Sequence, residues 1–186
     1  IVNCVNKGSI EVVKGSHSAH AAGGIAGMNS AKIENCQNEG TIKAEAGLSE
    51  EESQQGTASL SVGGITGIFA VTAKGEDGVI RECKNTGNVS ADVANAGGIA
   101  GNVYLSDPRY QMAIENCQNS GGVFSTNHYY AGIAADVSIK ADSTVTITGC
   151  TNETDFTEGE GAGIVHHLVQ QNGSMEILDS VNHGLI

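Results

Sequence analysis

The chain has no tryptophan, a single proline and only 4% aromatic residues among its 186 positions. A conventional globular core leans on large aromatic and leucine side chains. The interior here must therefore be filled by Ile, Val, Ala and Cys, compact residues suited to narrow, stacked layers. Positive charge is scarce as well: nine Lys and Arg stand against 21 Asp and Glu, a formal charge of −12. An acidic surface repels phosphate backbones, so nucleic acid is not an expected partner. No apolar run approaches the roughly 18 residues of a membrane-spanning helix, and no direct membrane insertion is expected.

Glycine, at 26 residues, is abundant, and its placement is periodic. The pattern Ile-x-x-Cys-x-Asn-x-Gly-x-Ile occurs first as Ile1, Cys4, Asn6, Gly8, Ile10 and next as Ile33, Cys36, Asn38, Gly40, Ile42. It returns as Ile80, Cys83, Asn85, Gly87, Val89, and as Ile114, Cys117, Asn119, Gly121, Val123. The fifth copy has Ile147, Cys150 and Asn152, then Thr154 for Gly and Phe156; the sixth has Ile177, Ser180 for Cys, Asn182, Gly184 and Ile186. A second module alternates with the first. It reads Gly23-Gly24-Ile25-Ala26-Gly27, Gly63-Gly64-Ile65-Thr66-Gly67 and Gly97-Gly98-Ile99-Ala100-Gly101, with weaker copies at Ala131–Ala135 and at 162–166.

Short β-branched segments between Gly and Asn turns read as strands, and no segment sustains a helical apolar period. The expected fold is all-β: a single parallel β-helix-like solenoid over 1–186, with five to six rungs, three short strands per rung and variable edge loops. The three strands are the Gly-Gly-Ile-Ala-Gly segment, the Ile-x-x-Cys segment and the Gly-x-Ile segment. A bend at Asn-x-Gly, where both residues tolerate the left-handed region, is expected to separate the last two. Equivalent residues should stack as ladders, with Asn amides passing hydrogen bonds between rungs. Glycines should sit where a β-carbon would crowd the next corner. Insertions such as 46–62 should project as loops, and 136–148 and 168–178 offer strands for a hairpin. The segment itself is expected to be rigid and elongated, and because open solenoid ends expose unpaired strand edges, it is expected to be a fragment of a larger protein or to be closed by flanking segments.

Residues 23–40, GGIAGMNSAKIENCQNEG, resemble the GLUG-motif repeat: a Gly-Gly-aliphatic-x-Gly segment, a short Asn/Gly turn, then Ile-x-Asn-Cys. The resemblance extends over nearly the whole chain, with the turn expanded at 68–79 and 102–113. It implies a secreted or surface-anchored bacterial protein, either adhesin-like or a non-catalytic region of an immunoglobulin A-cleaving metallopeptidase. No His-Glu-x-x-His occurs in the chain, so no protease residue is carried over.

Few residues invite chemistry. Cys4, Cys36, Cys83, Cys117 and Cys150 read as a buried apolar ladder, with disulfides or metal capture as the lesser readings. His17, His20, His128, His166, His167 and His183 keep no ligand spacing, and adjacent His166 and His167 should point to opposite faces of a strand. Acidic runs at 45–52, 76–77 and 155–160 lack the Gly-Gly-x-Gly-x-Asp calcium nonapeptide and read as solvated loops. No cofactor and no metal are expected. The threonines hold no regular register for an ice-binding face.

One region departs from the average composition. All four tyrosines fall between 104 and 130, in Tyr104-Leu-Ser-Asp107-Pro-Arg109-Tyr110 and His128-Tyr129-Tyr130, with the one Pro and one of two Arg. Exposed aromatic and Arg side chains are what recognition surfaces use. Tyr104, Asp107, Arg109, Tyr110, His128, Tyr129 and Tyr130 are therefore the candidate ligand-recognition residues, although the two segments need not form one patch. The expected function is non-catalytic: a stalk or ligand-presenting scaffold on the bacterial surface, facing a host or neighbouring surface protein or a glycan. A polysaccharide-active β-helix enzyme or a glycan-binding module is the alternative.

Overall fold

The computed structural model describes residues 1–13, 21–45, 60–71, 76–92, 94–126, 128–140, 142–156 and 159–186. His17, His20 and most of the 46–62 insertion lie outside these residues. The described chain is a parallel β-solenoid in which 24 short strands form five sheets, each built from equivalent positions of successive turns. One interior turn runs through Lys84–Asn85, Val89–Ala91, Ala94–Gly97, Ala100–Leu105 and Met112–Glu115 before reaching Gln118–Asn119. Four turns carry strands in all five sheets; the asparagine sheet, with six strands, begins and ends the coil.

Each turn is cut more finely than the three strands expected. The Gly-Gly-Ile-Ala-Gly segment breaks at its second glycine into two strands, Ala94–Gly97 and Ala100–Leu105 in the middle turn. The Ile-x-x-Cys-x-Asn segment also breaks, one residue before the cysteine. At that position φ is positive in Asn3 (57°), Asn35 (49°), Glu82 (53°), Asn116 (51°), Gly149 (63°) and Asp179 (50°). The left-handed corner thus lies before the cysteine, mostly in Asn, Asp and Gly, which tolerate it, with Glu82 as the exception, and not at Asn-x-Gly. The segments offered as a hairpin are also ordinary turns of the coil, since Ala134–Ile139 and Thr144–Thr148 pair in parallel with Val165–Gln170 and Ser174–Leu178.

Register between turns follows the repeat. Asn6, Asn38, Asn85, Asn119, Asn152 and Asn182 are successive partners in one sheet. Ile33, Ile80, Ile114, Ile147 and Ile177 are successive partners in another. The asparagine side chains form a continuous ladder. Each Nδ2 donates to the next Oδ1 at 2.7 to 2.9 Å, from Asn6 through Asn182. The same Nδ2 donates to the carbonyl two residues ahead, as Asn85 does to Gly87 at 2.8 Å. Buried amides are thereby satisfied twice over, which removes the cost of placing them in the interior.

Glycines explain how the two modules meet. A β-carbon on Gly24, Gly64, Gly98, Gly132 or Gly163 would collide with the amide of Asn38, Asn85, Asn119, Asn152 or Asn182. The second glycine of each Gly-Gly therefore faces the asparagine ladder across the coil. A β-carbon on Gly40, Gly87 or Gly121 would strike the carbonyl of the equivalent residue one turn earlier. The Asn–Gly seam divides the interior in two. One core holds the Ile and Cys ladders with Phe69, Val103, Leu105 and Val137; the other holds Ile42, Val62, Val89, Ala96, Val123, Tyr130 and Phe156.

Parallel strands stack about 4.8 Å apart, so five turn-to-turn steps span roughly 24 Å. A compact chain of this size would be roughly 40 Å across. The described segment is therefore squat along its axis, and the elongation expected from the repeat is not a property of these turns.

Candidate recognition surface

The strands that follow the Gly-Gly corner are the longest, up to six residues, because no corner interrupts them before the turn toward the isoleucine sheet. In Ala100–Leu105, Val103 and Leu105 point into the core while Asn102 and Tyr104 are half-buried on the outer face. The next turn places Asp136 and Ser138 beside them, and the last adds His167 and Val169. Asn102 Nδ2 donates to Asp136 Oδ2 at 3.1 Å, and His167 Nδ1 lies 2.7 Å from Asp136 Oδ1. The Tyr129 ring stacks on the His167 imidazole, centroids 4.1 Å apart and planes 12° from parallel. Lys140 Nζ sits 5.5 Å from the Tyr104 ring centre, a cation–π distance. Tyr104 and Tyr129 therefore border one continuous outer face, joined by Asn102, Asp136 and His167.

Adjacent His166 and His167 do not alternate as expected. Both rings approach Tyr129, with centroids at 5.1 and 4.1 Å. The reason lies in the corner. His166 occupies the position of Gly27, Gly67, Gly101 and Ala135, where a side chain is directed back at the strand before the corner: a β-carbon on Gly101 would meet the Val62 backbone. His166 Nδ1 accordingly lies 3.3 Å from the Tyr130 carbonyl oxygen.

The turn after the long strand uses its own polar groups internally. Arg109 donates to Asp107 through Nε (3.0 Å to Oδ1) and Nη2 (2.7 Å to Oδ2), and its backbone N–H also reaches Oδ1 at 3.0 Å. The guanidinium and the N–H hold the Asp107 carboxyl down at about 2. Arg109 also lies 5.3 Å from the Tyr110 ring centre, and Tyr110 packs against the main core. A charged pair in this bidentate geometry fixes a loop. Asp107, Arg109 and Tyr110 thus form a local clamp, separate from the Tyr129 stack.

Of the second segment, Tyr130 is 3% exposed and belongs to the smaller core, with Phe124 and Phe156 centroids at 5.8 and 5.7 Å. It supports the surface without presenting its ring. His128, half-buried, shares a cleft with Tyr129, Ser125, Glu160 and His166, and burial lowers its pKa. Tyr129 is the exposed member.

A groove of about 410 Å³ is lined in part by Phe124, Tyr130 and Phe156 of this aromatic cluster. Asn88, Gly122 and Asp155 line it from successive turns, with Ser90, Phe124 and Phe156 beside them. None of these was among the recognition candidates; Asp155 entered only within the acidic run 155–160 and Phe156 only as a position of the repeat. The available signal was Gly122, a glycine outside the repeat, and Phe124, an aromatic residue at an outward strand position.

The cysteine ladder is built from free thiols, with Cys36, Cys83, Cys117 and Cys150 buried and Cys4 exposed. Each buried Sγ contacts the carbonyl two residues earlier, at 3.2 to 3.5 Å. Hydrogen bonds with the Cys150 and Cys83 side chains, together with burial, push the Cys117 thiol well above its usual pKa. Such a thiol is a poor nucleophile. Among the described residues, no group of three or more His, Cys, Asp or Glu could hold a metal ion. No family model, no curated protein and no solved structure matches the chain.

Proposed function

We propose that this chain is a non-catalytic, ligand-presenting scaffold of a secreted or cell-surface bacterial protein of the GLUG-repeat type. The supporting observation is where the recurring chemistry goes. The Asn amides bond to one another, the buried thiols contact backbone carbonyls, and the isoleucines fill the core. What repeats is spent on holding turns together, whereas the outer positions vary from turn to turn.

Length favours display over a stalk. A turn consumes 30 to 47 residues, the spacing of successive ladder asparagines, yet advances only about 4.8 Å. An α-helix advances about 1.5 Å with every residue, so the coil is a poor way to gain distance. It is a good way to hold side chains from successive turns at fixed spacing, and display is the role proposed here. The partner is a host or neighbouring surface protein, or a glycan.

Two measurements test the reading. Incubation with acidic and neutral polysaccharides should release no reducing ends; turnover that disappears in Asp107→Asn or Arg109→Ala would overturn it. Antibodies to the chain should label intact cells of the source bacterium, and labelling only after lysis would contradict the surface assignment.

A further inference from the structure

The groove beside Phe124 is not required by the fold. Most glycines of the coil are forced by atoms that a β-carbon would approach within 3.0 Å, but Gly122 is not. A β-carbon there would meet no backbone, only the Asn88 side chain, with Oδ1 at 3.1 Å and Cγ at 3.7 Å. Its column reads Thr41, Asn88, Gly122, Asp155 over successive turns, so a missing side chain leaves a notch between an amide and a carboxylate. Asn88 Oδ1 accepts the Gly122 N–H at 3.0 Å, and Asp155 Oδ1 accepts the Leu185 N–H at 2.8 Å. Those bonds fix both side chains and leave Asn88 Nδ2 as a donor and Asp155 Oδ2 as an acceptor, neither with a partner among the described residues.

Phe124 forms the neighbouring wall. The outward positions in its own column are Glu11, Lys43, Ser90 and Phe124, and only the last of that column is apolar. It is 36% exposed, held by the Tyr130 ring at 5.8 Å, which is in turn backed by Phe156. An immobilised ring face next to a fixed donor, a fixed acceptor and the Ser90 hydroxyl matches a pyranose. The C–H face of the sugar meets the negative π face, and its equatorial hydroxyls meet the amide and carboxylate. No Lys or Arg lines the groove, Asp155 does, and the whole chain carries −12, which disfavours an acidic sugar. The volume, about 410 Å³, falls in the range of small-molecule sites, roughly 300–1,000 Å³.

We infer that the notch over Gly122, between Asn88 and Asp155 and walled by Phe124, binds a hexopyranose unit of a neutral glycan. This rests on the scaffold reading only in treating the sugar as bound and not cleaved. The test is calorimetric or NMR titration of the whole chain with hexasaccharides of β-1,4-glucose, α-1,4-glucose, β-1,3-glucose and β-1,4-N-acetylglucosamine, and with hexagalacturonate. At least one neutral oligosaccharide should bind with a Kd below about 10 mM. Its affinity should fall at least about tenfold both in Gly122→Gln, which fills the notch, and in Phe124→Ala, while the unfolding midpoint of Gly122→Gln stays near that of the parent. The inference is overturned if no neutral oligosaccharide binds, if either variant keeps full affinity, or if hexagalacturonate binds best. None of these results touches the scaffold reading, whose own tests are polysaccharide cleavage and the labelling of intact cells.

Discussion

At the scale of single residues, the asparagine ladder carries the greatest energetic consequence. Asn85 is fully buried, donates to Gly87 and Asn119, and accepts from Asn38. Replacing it with alanine strands the Asn38 donor and the Gly87 carbonyl in the interior, and each unmet buried group costs about 1–3 kcal/mol. Asn85→Ala should therefore lower unfolding stability by about 2 kcal/mol or more. Asn182→Ala, partly buried at the last turn, should lose less. Urea titrations of the two variants check the ordering. Asp107 offers a pH-dependent counterpart. Its folded pKa is depressed to about 2, below its unfolded value, so its contribution is complete above the unfolded pKa and is lost as pH falls through the folded one. A carboxyl-detected NMR titration should show Asp107 titrating with its midpoint near pH 2, below that of an unpaired aspartate. Arg109→Ala should move that transition upward.

Strands and corners show how much of the architecture was legible in the sequence. The coil, its parallel stacking and the Ile, Cys and Asn ladders follow from the spacing of Ile33, Cys36 and Asn38 and their later copies, because a fixed repeat forces equivalent residues into register. The left-handed corner was misplaced because Asn occurs at both candidate positions. Glu82, a residue that disfavours positive φ, stands at the real one and hides it. The candidate face was only half legible. Tyr104 and Tyr129 are brought to one surface by Asp136 and His167, which lie in later turns and carry no compositional signal. Arg109 looked like a ligand-binding group, yet it closes its own loop. Glycine positions give the sharpest test at this scale. In Gly98→Ala the β-carbon would meet both the Gly132 carbonyl and the Asn119 amide, so this variant should unfold at markedly lower denaturant or fail to fold. Gly122→Ala, with its nearest contact at 3.1 Å, should remain folded. Circular dichroism melts of the pair check this.

Across the whole molecule, two parallel cores run the length of the coil with a polar seam between them. Neither core is closed within a single turn, so stability comes from stacking, and the middle turns should open together. The thiols report on this directly. Cys4 is exposed, and Cys36, Cys83, Cys117 and Cys150 are buried in four successive turns. A thiol reagent should modify one cysteine per native chain, and the remaining four should react within the same denaturant window. Stepwise labelling of Cys36, Cys83, Cys117 and Cys150 at separate concentrations would show turns that unfold independently.

The central claim is that the repeat is spent internally, on a hydrogen-bonded asparagine ladder that holds the turns together. The most direct measurement is NMR of the asparagine side-chain amides. Asn38, Asn85, Asn119 and Asn152 should show slowed solvent exchange and cross-turn contacts from each Nδ2 to the next asparagine. Rapid exchange of these four amides, at the rate of an exposed asparagine such as Asn88, would contradict the account.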